Sequence, residues 1–163
     1  MKTGQLADAY EEFLAVVQSI TASGPLSTRV QAQIDLTLAH VFLADRALVL
    51  VARQVLAGDL AQLDNGDAMS RTVLGNLIAG TSHAERVTAV RQEMRTLLRL
   101  LRAIPQEAAD IAVTVRLVDH DSEQIFQEGL RWGDLIEVRA QEHVPGHSRL
   151  LAELLARERP AGG

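Results

Sequence analysis

The chain has 163 residues, of which 47% are hydrophobic and 23% charged, enough to bury one full core and short enough to expect a single domain. Its formal net charge of -5, with both signs interspersed, offers no basic stripe for a phosphate backbone, so nucleic acid is not an expected partner. Cysteine is absent, which removes disulfides, thiolate ligands and a built-in thiol nucleophile and fits a cytoplasmic protein.

Thr3 can cap a first helix over about residues 4–21, in which Leu6, Ala9, Tyr10, Phe13, Val16, Val17 and Ile20 recur at helical spacing. Asp8, Glu11 and Glu12 stand where a signal peptide needs an apolar core, so neither export nor a membrane is expected. Ser23-Gly24-Pro25 stops this helix, and Ser27 or Thr28 can cap a second one that runs to Leu56, with Gly58 just past its end. The second helix is apolar nearly all round, from Ile34, Leu38 and Val41 on one face to Leu36, Leu43 and Leu50 on others, as expected of a central element. Its longest purely apolar run, residues 47–52, is too short to span a bilayer.

Residues 58–67, with Asp64-Asn65-Gly66-Asp67, read as a polar surface loop leading into a short helix from about Ala68 to Ile78. The acidic cluster lacks the spaced ligands and terminal glutamate of a calcium loop. Ser82-His-Ala-Glu85 is a capping-box pattern opening a third long helix that ends near Ala103, with Val87, Val90, Met94, Leu97, Leu98 and Leu101 inward. From Ile111 the period changes to alternation, and Asp119-His-Asp-Ser122 before Ile125-Phe126 predicts a small β-hairpin. Trp132-Gly133-Asp134 then starts a last helix over about residues 134–156. These elements predict an all-α protein, an antiparallel four-helix bundle with a long crossover carrying a short helix and a small β-hairpin. One domain is expected over residues 1–157, followed by a disordered C-terminal tail at 158–163.

Three of the five histidines carry the chemistry. His143 and His147 are one helical turn apart in Glu142-His143-Val-Pro-Gly-His147, so their Cβ atoms lie roughly 6 Å apart and both imidazoles can reach one ion. His40, mid-way along the apolar second helix, would close a site between facing helices, or serve as a core histidine bonded to a backbone carbonyl. Pro145-Gly146 between the pair costs about 3 to 4 kcal/mol in a helix and leaves the Gln141 carbonyl without its donor, so either a kink or the start of a separate terminal helix is expected there. Val144 occupies the place where a His-Glu-x-x-His protease needs its glutamate, and Glu142 projects about 100° round the helix from His143, so a zinc protease is not expected. His83, in a first helical turn, and His120, in the hairpin turn, read as solvated polar residues.

The chain resembles the DinB-like (DinB/YfiT-like) superfamily of metal-binding four-helix proteins. The resemblance runs over nearly the full length: Leu38-Ala-His40-Val-Phe-Leu-Ala-Asp45-Arg46-Ala in the second helix, the Leu63-Asp64-Asn65 loop, the Trp132-Gly133 helix start and Glu142-His143-Val-Pro-Gly-His147 near the C-terminus. It differs at Ala39, where the family often has a tryptophan before the histidine. The resemblance implies that His40, His143 and His147 hold a divalent ion, zinc or nickel, that the protein forms a homodimer, and that its activity is thiol-dependent transfer or isomerisation with a low-molecular-weight thiol cosubstrate.

Three neutral imidazoles leave an ion its full charge and an open position, which suits activation of water or of an external thiol towards a small-molecule substrate. A metal-dependent transferase or hydrolase is therefore expected. The alternative is a non-catalytic protein in which the ion is structural or absent and the bundle serves metal binding or dimeric interaction.

Overall fold

A computed structural model describes residues 3–158. The fold is mostly helical with a small three-stranded sheet. Helix α1 (Thr3–Ala22) buries Leu6, Tyr10, Phe13, Val17 and Ile20, the face its periodicity marks. Thr3 is already inside this helix rather than at its cap. Helix α2 (Thr28–Ala57) begins at Ser27, whose hydroxyl accepts from Val30 N, and ends at Gly58. Gly58 has φ +75, a left-handed conformation that a side chain would strain, and its N–H turns back onto the last helical carbonyls. Helix α2 buries residues on several faces, Ile34, Leu38, Val41, Leu48, Val51 and Val55 among them, though Leu36, Leu50 and Leu56 stay exposed.

The expected surface loop at residues 58–67 is in part a strand. Strand β1 (Ala61–Asp64) pairs in parallel with β2 (Ala112–Val118), Ala61 opposite Val113 and Asp64 opposite Arg116. Four residues are too few to display an alternating pattern, and a parallel partner fifty residues away leaves no local signal. The hairpin formed by β2 and β3 (Gln124–Arg131) is as expected, with a register shift after Leu117, so the sheet order is β1-β2-β3. The purely helical class thereby becomes a helical protein with a sheet. The short helix is also split, into α3 (Gly66–Met69) and α4 (Arg71–Ala79), because Ser70 turns out of the helix and its hydroxyl accepts from Val73 N to start the second piece.

Helix α5 (His83–Ala103) opens with both halves of the Ser82–Glu85 capping box formed and buries Val90, Met94, Leu97 and Leu101. A 3-10 turn (Gln106–Asp110) leads to β2. After β3 the chain continues as α6 (Trp132–Val138), a π-helical turn (Arg139–His143) and α7 (Val144–Glu158) without a break. The sequence predicts a kink or the start of a separate helix at Pro145; the helix runs on, and the disturbance is a widened turn in which Val144 N–H reaches the Arg139 carbonyl five residues back. In a regular α-helix Pro145 would have no N–H for the Gln141 carbonyl and its ring would crowd that group, and a widened turn is one way a helix absorbs such a residue. Glu158 belongs to α7, and its carboxylate accepts hydrogen bonds from Ser27 N at 2.8 Å and Ser27 Oγ at 2.6 Å; the rest of the expected tail lies outside the described residues.

Helices α1 and α2 each pack against both α5 and α7, while β1, α3 and α4 lie along α2. The core gathers the inward faces of these helices together with Val113, Val115 and Trp132. No helix among the described residues is long and apolar enough to cross a membrane.

Candidate metal centre

His40 sits on α2, His143 closes the π-turn and His147 lies in the first turn of α7. Their rings converge, with centroids 5.3 Å apart for His40 and His143, 5.0 Å for His40 and His147, and 4.6 Å for His143 and His147. Each offers a ring nitrogen, the three lying within 4.8 Å of one another, and no other His, Cys, Asp or Glu joins the group among the described residues.

The protons on these rings follow from their partners. His40 Nδ1 lies 2.8 Å from the carbonyl of Ala68 on α3. A carbonyl only accepts, so Nδ1 carries the proton and Nε2 presents its lone pair to the cluster. His40 Nε2 is 3.3 Å from His143 Nε2. Arg139, which can only donate, places Nη1 against His143 Nδ1 and 3.1 Å from His143 Nε2, so for His143 to ligate through Nε2 the guanidinium must give way to a proton on Nδ1. Metal–nitrogen bonds of 2.0–2.1 Å in tetrahedral geometry give nitrogen–nitrogen edges of roughly 3.3 to 3.4 Å, the spacing of this pair. Three imidazole nitrogens within 4.8 Å of one another are a donor set that could hold a divalent ion.

Electrostatics favours the same state. Burial, then the Arg139 charge and the other two imidazoles, hold His143 far below the usual histidine range. Burial followed by His40 and Arg139 pushes His147 down to about 4, and His40 is lowered chiefly by burial. All three are neutral at pH 7, the form that ligates.

Beneath the cluster lies a buried polar network that the sequence reading did not single out. Asp45 is 0% exposed and Arg139 4%. Asp45 Oδ1 accepts from Tyr10 Oη at 2.7 Å, Arg139 Nε at 3.0 Å and Arg139 Nη2 at 2.5 Å, joining α1, α2 and the π-turn. Desolvation raises the Asp45 carboxyl against the pull of the guanidinium; it also opposes the Arg139 charge, which Asp45 and Tyr10 more than restore. Tyr10 is raised well above its ordinary value by burial and by Asp45. The available signal was Asp45 itself, a carboxylate inside the long, largely apolar second helix. One turn separates Arg139 from His143, so the network fixes the segment that carries two of the three imidazoles.

The remaining candidates sort clearly. Glu142 is exposed and takes no part in the cluster. Asp64 accepts from Gly66 N at 2.6 Å and pairs with Arg116 at 2.8 Å, which accounts for its carboxylate without calcium. His83 is less solvated than expected: it is part-buried between Thr21 Oγ1 at 3.3 Å, Gln31 Nε2 at 3.4 Å and Asp35 at 3.3 Å. His120 is exposed as expected, yet it lines the same cavity as the three imidazoles, and its Nδ1 lies 3.3 Å from the Met69 carbonyl, next to the carbonyl that orients His40.

That cavity has a volume of about 670 Å³ and is open to the outside, with the imidazoles of His40, His143 and His147 in its wall. Its other walls come from α2, the sheet, α3, α4, α6 and α7. No family model, curated protein or solved structure matches this chain. The functional reading therefore stands on the cluster and its cavity.

Proposed function

We propose that His40, His143 and His147 hold one divalent ion, zinc or nickel, and that the protein is a metal-dependent hydrolase or thiol transferase acting on a small molecule. The observation that carries this reading is the convergence of three neutral imidazoles on the wall of a cavity large enough for a drug-sized ligand. Such an ion, when bound, supplies a Lewis acid that makes water or an external thiol nucleophilic near neutral pH. The chain's own residues do the rest: Ala68 orients His40, Arg139 braces His143, and the Tyr10–Asp45–Arg139 network keeps the π-turn in place. A purely structural ion would be enclosed by a fourth protein ligand, and the described residues offer none within the group.

The ring of contacts among α1, α2, α5 and α7 supports an antiparallel four-helix bundle; a homodimer is what the resemblance to DinB-like proteins implies. The lack of cysteine supports a cytoplasmic site of action and leaves any thiol to come from a cosubstrate. Elemental analysis of untagged protein tests the centre: about one equivalent of zinc or nickel is expected, and loss of that metal in His143→Ala. Metal-loaded protein that stays inactive against esters, amides and electrophile–thiol pairs would leave the ion without a catalytic role.

A further inference from the structure

The polar groups of the cavity wall are almost all spoken for. Thr37 Oγ1 donates to the Gln33 carbonyl at 2.9 Å. Asn65 is used at both ends, donating from Nδ2 to the Val118 carbonyl at 3.1 Å and accepting from Val118 N at 2.8 Å. Arg139, the one cation among the lining residues apart from histidine, is bound to Asp45, to His143 and to the Val41 carbonyl. Among the described residues no Asp, Glu or Lys lines the cavity, and no Phe, Tyr or Trp does. The rest of the wall is aliphatic or methionine, with Leu48, Leu63, Leu74, Val115 and Leu130 among its residues. What remains for hydrogen bonding or coordination is the imidazole nitrogens.

The apolar lining also continues onto the surface. Leu36, Val138 and Leu150 line the cavity and are 45%, 49% and 43% exposed, on α2, α6 and α7 respectively. Three half-exposed apolar side chains at one mouth form a surface that an apolar ligand can cover.

We propose that the cavity takes a neutral small molecule with an aliphatic body and a single polar head, the head placed at the three histidines and the chain running along the leucine-lined wall towards the mouth. The placement of the head rests on the metal reading above; the nature of the body rests on the wall alone. A charged body, such as that of a peptide thiol with free carboxylates, would lose its hydration and find no uncommitted cation in return. A flexible aliphatic chain loses only unfavourable contact with water.

The test uses the zinc-loaded full chain and isothermal calorimetry with hydroxamic acids of one head and different bodies. Octanohydroxamate is expected to bind at least on the order of a hundredfold more tightly than acetohydroxamate, since each buried methylene contributes about fourfold. The monohydroxamate of suberic acid, of the same length but ending in a carboxylate, is expected to fall back to the affinity of acetohydroxamate. Leu150→Glu, a change at a half-exposed position, should weaken octanohydroxamate about tenfold and leave acetohydroxamate unchanged. In parallel, 1-octanol is compared with 1-butanol on the same preparation, a series that needs no metal. If zinc is not retained and octanol still binds far more tightly than butanol, the metal reading fails and the aliphatic body stands. If zinc binds through the histidines and the tails make no difference, or the carboxylate tail binds as well as the octyl one, the aliphatic body is refuted and the metal reading stands. A flat tail series together with a dimer that Leu150→Glu splits would identify the mouth as an interface between two copies and likewise overturn the proposal.

Discussion

At the scale of single residues the candidate centre rests on three imidazoles, one of them oriented by the Ala68 carbonyl. His40→Ala, His143→Ala and His147→Ala should each lower zinc affinity by at least tenfold to a hundredfold, whereas His83→Ala and His120→Ala should leave the zinc stoichiometry of the purified protein unchanged, because neither ring joins the cluster. Zinc content measured on untagged protein checks this, and loss of metal in His120→Ala would place that ring among the ligands. The buried network has its own signature. Asp45→Ala leaves the Arg139 guanidinium buried without its carboxylate and should cost about 3 to 5 kcal/mol in urea unfolding. Tyr10→Phe removes one hydrogen bond to a charged oxygen and should cost about 1.5 to 3 kcal/mol. The histidine trio was legible in the sequence because a four-residue spacing and a polar residue in an apolar helix are local patterns. Arg139 was not, since nothing local says that a guanidinium one turn before His143 turns inward to a carboxylate on another helix.

At the scale of elements, the helices were readable because their stop and start signals are chemical and local: Ser27 and Gly58 bound α2, and Ser82 with Glu85 opens α5. Pro145 marked a disturbance, and the form it takes, a π-turn, sets where His143 points relative to His147. Two glycines separate backbone need from accident. A Cβ at Gly146 meets only Arg149 Nη2 at 3.9 Å, and the site is helical, so Gly146→Ala should stabilise the protein by about 0.5 to 1 kcal/mol. A Cβ at Gly133 would lie 3.1 Å from Ala109 Cβ and 3.2 Å from the Ala109 carbonyl, so Gly133→Ala should instead destabilise, by pushing α6 off the 3-10 turn. Thermal melts of the two variants should move in opposite directions; a rise in both would show that the α6 contact is loose. Strand β1 escaped the sequence because its stabilisation is entirely a matter of pairing with β2.

At the scale of the whole molecule, stability and metal binding share one pH dependence. The folded state holds His147 at about 4, below the value of about 6.5 in an unfolded chain, so between those values the unfolded state binds more protons. Stability of the zinc-free protein should therefore be constant above about pH 7 and fall as the pH is lowered from 6.5 towards 4. His40 and His143, lowered by burial as well, act in the same direction. Added zinc should raise the melting temperature at pH 7.5, and the gain should shrink across the same acid range as protons compete for the imidazoles. Calorimetry with and without zinc at pH 7.5, 6 and 5 checks both limbs; a zinc-induced shift that persists undiminished at pH 5 would mean that the ion binds away from the histidines. The sequence alone determined the helix faces, their caps, the anomaly at Pro145 and the three histidines, because periodicity, capping and side-chain chemistry are written within a few residues of one another. Only the tertiary structure decided that β1 joins the sheet, that Arg139 meets Asp45, and that His40 and His143, 103 positions apart, meet in the wall of an apolar cavity. Those are contacts between distant segments, and they exist only once hydrophobic burial has chosen which helix faces meet.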